Sequence, residues 1–130
     1  MMHAEDRVRY FATCVENNHS GAPWLDTYAL VAAWLMKEHR FSPEDIARVA
    51  AYHPGQFVNS HLKRQFPWEK FGKGFGEIKK GFIASLTVLN MKKKTTVRRE
   101  DLKTKCGWSP LEGREMPGAV EAVFIRGKKQ

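Results

Sequence analysis

SPEDIARVAAYHPGQFVNSHLKR, Ser42 to Arg64, is the stretch on which the fold turns. Ser42 is a helix-capping residue, and Pro43 suits a first helical turn because it has no N–H to satisfy there. Glu44 and Asp45 follow, where the positive end of a helix dipole favours carboxylates. Ile46, Val49, Ala50 and Tyr52 then supply apolar positions at helical spacing. His53-Pro54-Gly55 predicts a stop at Tyr52. A second helix is expected from Gln56 to Gln65, ending before Pro67, with Phe57, Val58 and Leu62 turned inward. Small Ala47, Ala50 and Ala51 would let the two helices cross closely.

Two ten-residue helices joined by a tight turn resemble the helix-turn-helix of DNA-binding proteins, whose second helix lies in the major groove. That resemblance implies a reading face made of Gln56, Asn59, Ser60, His61, Lys63 and Arg64. Amides pair with adenine, arginine or lysine with guanine, and hydroxyls with phosphate. One departure stands out. The turn glycine falls at Gly55 beside a proline, not near Ala51, which is also compatible with an ordinary helical hairpin. The opening SPEDIA resembles small helical modules of plasmid and phage replication proteins.

Outward from this hairpin, Val8, Phe11, Cys14 and Val15 predict a helix over 4–17, and Leu25, Tyr28, Val31, Ala32 and Leu35 predict another over 24–39. Residues 71–76 are glycine-rich and read as a flexible join. Phe75, Ile78, Phe82, Leu86 and Leu89 recur at steps of three and four, a helical period, while β-branched Ile83, Thr87 and Val88 argue for a strand over 82–89. The period favours helix. A short helix is expected over 99–106 and a strand over 119–126. The predicted class is mainly α (α+β): an N-terminal helical bundle containing the hairpin 42–66, with a small β element near the C-terminus. Residues 1–66 form the helical part and 67–130 a basic extension packed on it.

Charge points the same way. The chain of 130 residues has a net charge of +8. Residues 1–60 hold five Lys/Arg against seven Asp/Glu, and the rest hold seventeen against seven. Such segregation makes a one-sided positive field that attracts polyanions, phosphate backbones above all. Lys92, Lys93, Lys94, Arg98 and Arg99 are its densest run. No apolar run approaches the roughly 18 residues a membrane span needs, and no secretory leader is evident at the N-terminus. The two cysteines, Cys14 and Cys106, lie outside any CxxC motif and read as idle thiols of a cytoplasmic protein.

Other chemistry finds little footing. Lys73-Gly74-Phe75-Gly76 copies the start of an RNA-binding strand, but Glu77 stands where the next stacking aromatic belongs. No phosphate-cradling GxxxxGK[ST] occurs, and the five histidines never pair at metal-ligand spacing. The function expected is a small nucleic-acid-binding protein, a DNA-binding regulator or replication accessory factor without catalysis, cofactor or metal. Duplex DNA is its favoured partner, and a homodimer would multiply the contacts. Two alternatives stay open. A protein-interaction module of a phage or plasmid could use Trp24, Trp34, Trp68 and Trp108 as anchors. A metal-dependent nuclease could use Asp26 with Glu77-Ile78-Lys79.

Overall fold

A computed structural model describes residues 23–62, 67, 70 and 72–130. The expected helix over 4–17 lies outside them. Two compact units interleave along the chain: Met1–Tyr28 with Thr96–Glu115, and Ala29–Thr95 with Met116–Gln130. The division does not fall at residue 66.

Among the described residues the larger unit holds the α-helices and most of the sheet. Helix α1 spans Tyr28–Glu38 and buries Leu30 and Ala33. It stops where Arg40 adopts a positive φ of 59° and the Phe41 amide bonds back to the Leu35 carbonyl at 3.3 Å. Helix α2, Pro43–Ala47, begins as its sequence dictates. The Ser42 hydroxyl accepts the Asp45 amide at 3.0 Å, and the Asp45 carboxylate accepts the Ser42 amide at 3.1 Å, a reciprocal capping box.

The predicted stop at His53-Pro54-Gly55 does not occur. A π-helical turn, Arg48–Tyr52, follows α2 directly and runs straight into α3, His53–Leu62. The His53 amide bonds the Arg48 carbonyl, five residues back. The widened turn accommodates Pro54, which has no N–H to give and whose ring would crowd a regular α-turn. One interrupted helical run replaces the hairpin, so the helix-turn-helix geometry is corrected along with the boundary.

The expected bundle is likewise overturned by a three-stranded sheet of order β1-β2-β3. Strand β1 is Leu86–Thr96, β2 is Glu115–Ile125 and β3 is Lys128–Lys129. Residues 82–89 therefore do not continue as a helix. Gly76 and Gly81, at φ 90° and 92°, break the apparent period, and β-branched Thr87 and Val88 enter the strand. The strand expected over 119–126 is present and begins earlier. The Thr95 hydroxyl donates to the Gly118 carbonyl at 2.8 Å across β1 and β2. A two-residue turn joins β2 to β3, with Ile125 opposite Lys128. Arg126 and Gly127 both take positive φ there, as the right-handed twist of a hairpin requires. Gly118 faces α1, where an added Cβ would stand 2.7 Å from that of Ala33.

In the smaller unit only three residues, Arg99–Asp101, form a 3₁₀ turn where a helix over 99–106 is expected. Buried Val97 anchors this segment, donating to the Arg114 carbonyl at 2.9 Å and accepting the Gly113 amide at 2.8 Å.

The capping box makes a direct prediction. Hydrogen bonds from the Ser42 hydroxyl and amide, helped by the Arg48 guanidinium, hold the Asp45 carboxyl below its ordinary value. A carboxyl whose folded pKa is depressed stabilises above its unfolded pKa and loses that contribution as pH falls through the folded one. Helix content over 43–62 should thus fall on acidification through the carboxylate range. Ser42→Ala is expected to weaken the helix start by about 1 kcal/mol near neutrality. It should also flatten the acid response followed by circular dichroism; an unchanged acid profile contradicts the coupling.

Candidate functional site

Asn59 occupies a position where α3 meets the glycine-rich segment. Its side-chain amide donates to the Phe75 carbonyl at 3.1 Å, and its carbonyl oxygen accepts the Phe75 amide at 2.9 Å. One side chain thereby satisfies both backbone groups of a loop residue, as a neighbouring strand would. The approach is close because Gly55 and Gly76 face each other: an added Cβ on Gly55 would lie 2.7 Å from the Gly76 Cα. Residues 72–76 are accordingly tied down where sequence suggests a flexible join. The Lys73 amide bonds the Gly81 carbonyl at 2.7 Å, and the Ile83 amide bonds that of Gly74 at 2.9 Å.

Gln56, Ser60 and His61 of the expected reading face are exposed, and each also makes a hydrogen bond within the same unit. Gln56 reaches the Glu77 carboxylate at 3.5 Å. The Ser60 hydroxyl and the His61 Nδ1 both bond the Phe57 carbonyl, at 2.7 and 2.8 Å. Lys63 and Arg64 lie outside the described residues. Lys92, Lys93 and Lys94 stand exposed on β1, with Lys93 3.7 Å from the Glu121 carboxylate. Arg98 and Arg99 belong to the other unit, where the Arg99 Nε–H donates to the Gly107 carbonyl at 2.6 Å. Asn59 is therefore a fold-holding residue, and the expected cationic groups are divided between two units.

The smaller unit contains a second anchor that sequence reasoning missed. The Asp26 Oδ2 accepts the Lys103 amide at 3.0 Å and the Thr104 amide at 2.9 Å. Just ahead of a helix, Asp26 reads as a dipole partner. Its actual donors are 77 and 78 residues away, so no local spacing announces them. In the same unit Thr27 and Ser109 are buried, and the Thr104 hydroxyl is shut from solvent with no partner among the described residues. The Ser109 Oγ accepts the Leu111 amide at 3.2 Å. Exposed Cys106 lies between these anchors. Carboxylate and guanidinium both grip backbone here, which fixes loop 102–109 and leaves its Lys103 and Lys105 side chains exposed. Glu77 and Lys79 belong to the other unit than Asp26.

Among the described residues no group of three or more His, Cys, Asp or Glu side chains could hold a metal ion. No helix among them is long and apolar enough to cross a membrane.

No protein-family model and no solved structure matches the chain. Curated relatives do. The dihydroorotase of Pyrococcus abyssi is 39% identical over 125 residues, 96% of this chain and 28% of that protein. The dihydroorotase of Archaeoglobus fulgidus is 46% identical over 66 residues, 48% of this chain and 16% of its own length. That of Pyrococcus furiosus is 43% identical over 56 residues, 43% of this chain and 13% of its own. The chain thus spans less than a third of the length of these relatives. They overturn the expectation of a phage- or plasmid-like DNA-binding regulator, and with it transcriptional control, docking on host machinery and nuclease activity: what this chain resembles, along almost all of its length, is part of a dihydroorotase.

Proposed function

We propose that this chain serves a dihydroorotase, supplying one structural portion of that enzyme. The observation that carries the reading is the collinear match of 96% of the chain, at 39% identity, to 28% of the Pyrococcus abyssi enzyme. The geometry is consistent with a supporting role. Asn59 and Asp26 each bind backbone, and the buried glycine contact between α3 and residues 74–76 fixes main chain against main chain. Groups of this kind hold loops in place while reacting groups elsewhere do chemistry.

The test is a chimera in which this chain replaces its matching segment of the Pyrococcus abyssi protein. Conversion of dihydroorotate should survive to within about an order of magnitude of the parent rate. A chimera as stable as the parent but unable to consume dihydroorotate overturns the proposal.

A further inference from the structure

The helical run 43–62 meets residues 74–76 on one side, through buried Gly55 and through Asn59. Its other side is apolar and open. Val49, Tyr52 and Phe57 are 59%, 43% and 65% exposed, and helical spacing places them with His53, Gln56 and Ser60 on one broad face. From Val49 to Ser60 there is no Asp, Glu, Lys or Arg. A helix face that stays in water normally carries charges, so an uncharged stretch with three large exposed side chains marks a contact surface.

The face is also stiff. The Tyr52 ring packs on the His53 imidazole with centroids 5.4 Å apart, and the Phe57 ring on that of His61 at 4.2 Å. Side chains already held lose little freedom on docking. Charge names the occupant, because it is confined to the ends of the run. Glu44 and Asp45 open it, with Arg48 held by Asp45 at 3.0 Å. His61 closes it, and Lys63 and Arg64 follow in sequence. An acidic start, an uncharged middle and a basic finish are complementary to the same pattern reversed. Antiparallel packing also sets the two helix dipoles in opposition.

We propose that two copies of this chain associate through this face, their helical runs antiparallel about a twofold axis near Tyr52 and His53. Val49 of one copy then lies beside Phe57 of the other, and Glu44 beside His61, each contact made twice as a twofold requires. The run from residue 43 to residue 62 gives a seam about 30 Å long. Pairing of this kind does not depend on the dihydroorotase reading.

Sedimentation of the chain from about 1 to about 100 μM should show monomer passing to dimer, with a dissociation constant on the order of 10 μM. Val49→Glu with Phe57→Glu should weaken the dimer at least about tenfold. Both positions are exposed, so helix content by circular dichroism should be kept. A monomer throughout the range, assembly beyond the dimer, or a dimer indifferent to the two glutamates overturns the inference. Should the double variant lose helix, cysteine cross-linking decides, with Cys14→Ser and Cys106→Ser as background. His53→Cys, at the axis, should form a disulfide dimer at least about tenfold faster than Glu44→Cys, whose two copies would stand about 25 Å apart. Equal rates overturn the antiparallel pairing.

Discussion

Gly76→Ala is expected to cost the chain about 3 kcal/mol or more, read as a lowered midpoint of urea unfolding. Two causes add. Gly76 sits at φ +90°, outside the region that an L-residue with a Cβ adopts readily. The new methyl group would also stand 2.5 Å from the Ala51 carbonyl oxygen and 3.0 Å from the Gly55 Cα. Both neighbours are backbone of the helical run, so no flexible side chain can swing aside. The strain and the overlap can be told apart with Gly127→Ala. Gly127 has a similar φ of +78° in the same unit, but nothing lies within 4 Å of its would-be Cβ. That variant should lose only about 1 kcal/mol. Equal losses for the two would show that the close approach of α3 to residues 74–76 contributes nothing.

The same contact shows what a sequence can disclose. Local chemistry was legible: Ser42, Pro43 and Asp45 announce a capped helix start, and the capping box is there. Helix α1 and strand β2 were legible too, because each carries its own period or β-rich composition. The stop at Pro54 was misread because a proline's missing N–H normally ends or kinks a helix, whereas a π-turn one step earlier absorbs it. Strand β1 was misread because Phe75, Ile78, Phe82, Leu86 and Leu89 keep a helical period by accident across two positive-φ glycines. Asn59, Gln56 and Ser60 have the residue types of a base-reading face, and type alone does not say whether a polar group meets solvent or backbone. Asn59 meets Phe75. The charge asymmetry was real, but it is a property of composition and speaks to solubility and encounter, not to fold.

Asp26 offers the sharpest case of a residue whose role no local pattern reveals, and its removal has the second large expected effect. One carboxylate oxygen accepts two consecutive backbone amides, from Lys103 and Thr104. Hydrogen bonds to an ionised acceptor contribute roughly 1.5–3 kcal/mol each where solvent is excluded, and less where it is not. The Lys103 bond is exposed and the Thr104 bond half-buried, so Asp26→Ala should cost about 2–4 kcal/mol and leave two donors without an acceptor. Asp26→Asn keeps an oxygen in place but not its charge, and should fall between. The loss should be local. Amide exchange at Lys103 and Thr104 is expected to rise strongly in Asp26→Ala, while the Phe75 amide, held by Asn59 in the other unit, should exchange as before. Unaltered exchange at Lys103 and Thr104 would mean that loop 102–109 is held by Arg99 and Ser109 without help from the carboxylate. A rise that reached Phe75 as well would mean that the two units unfold together, as one cooperative body.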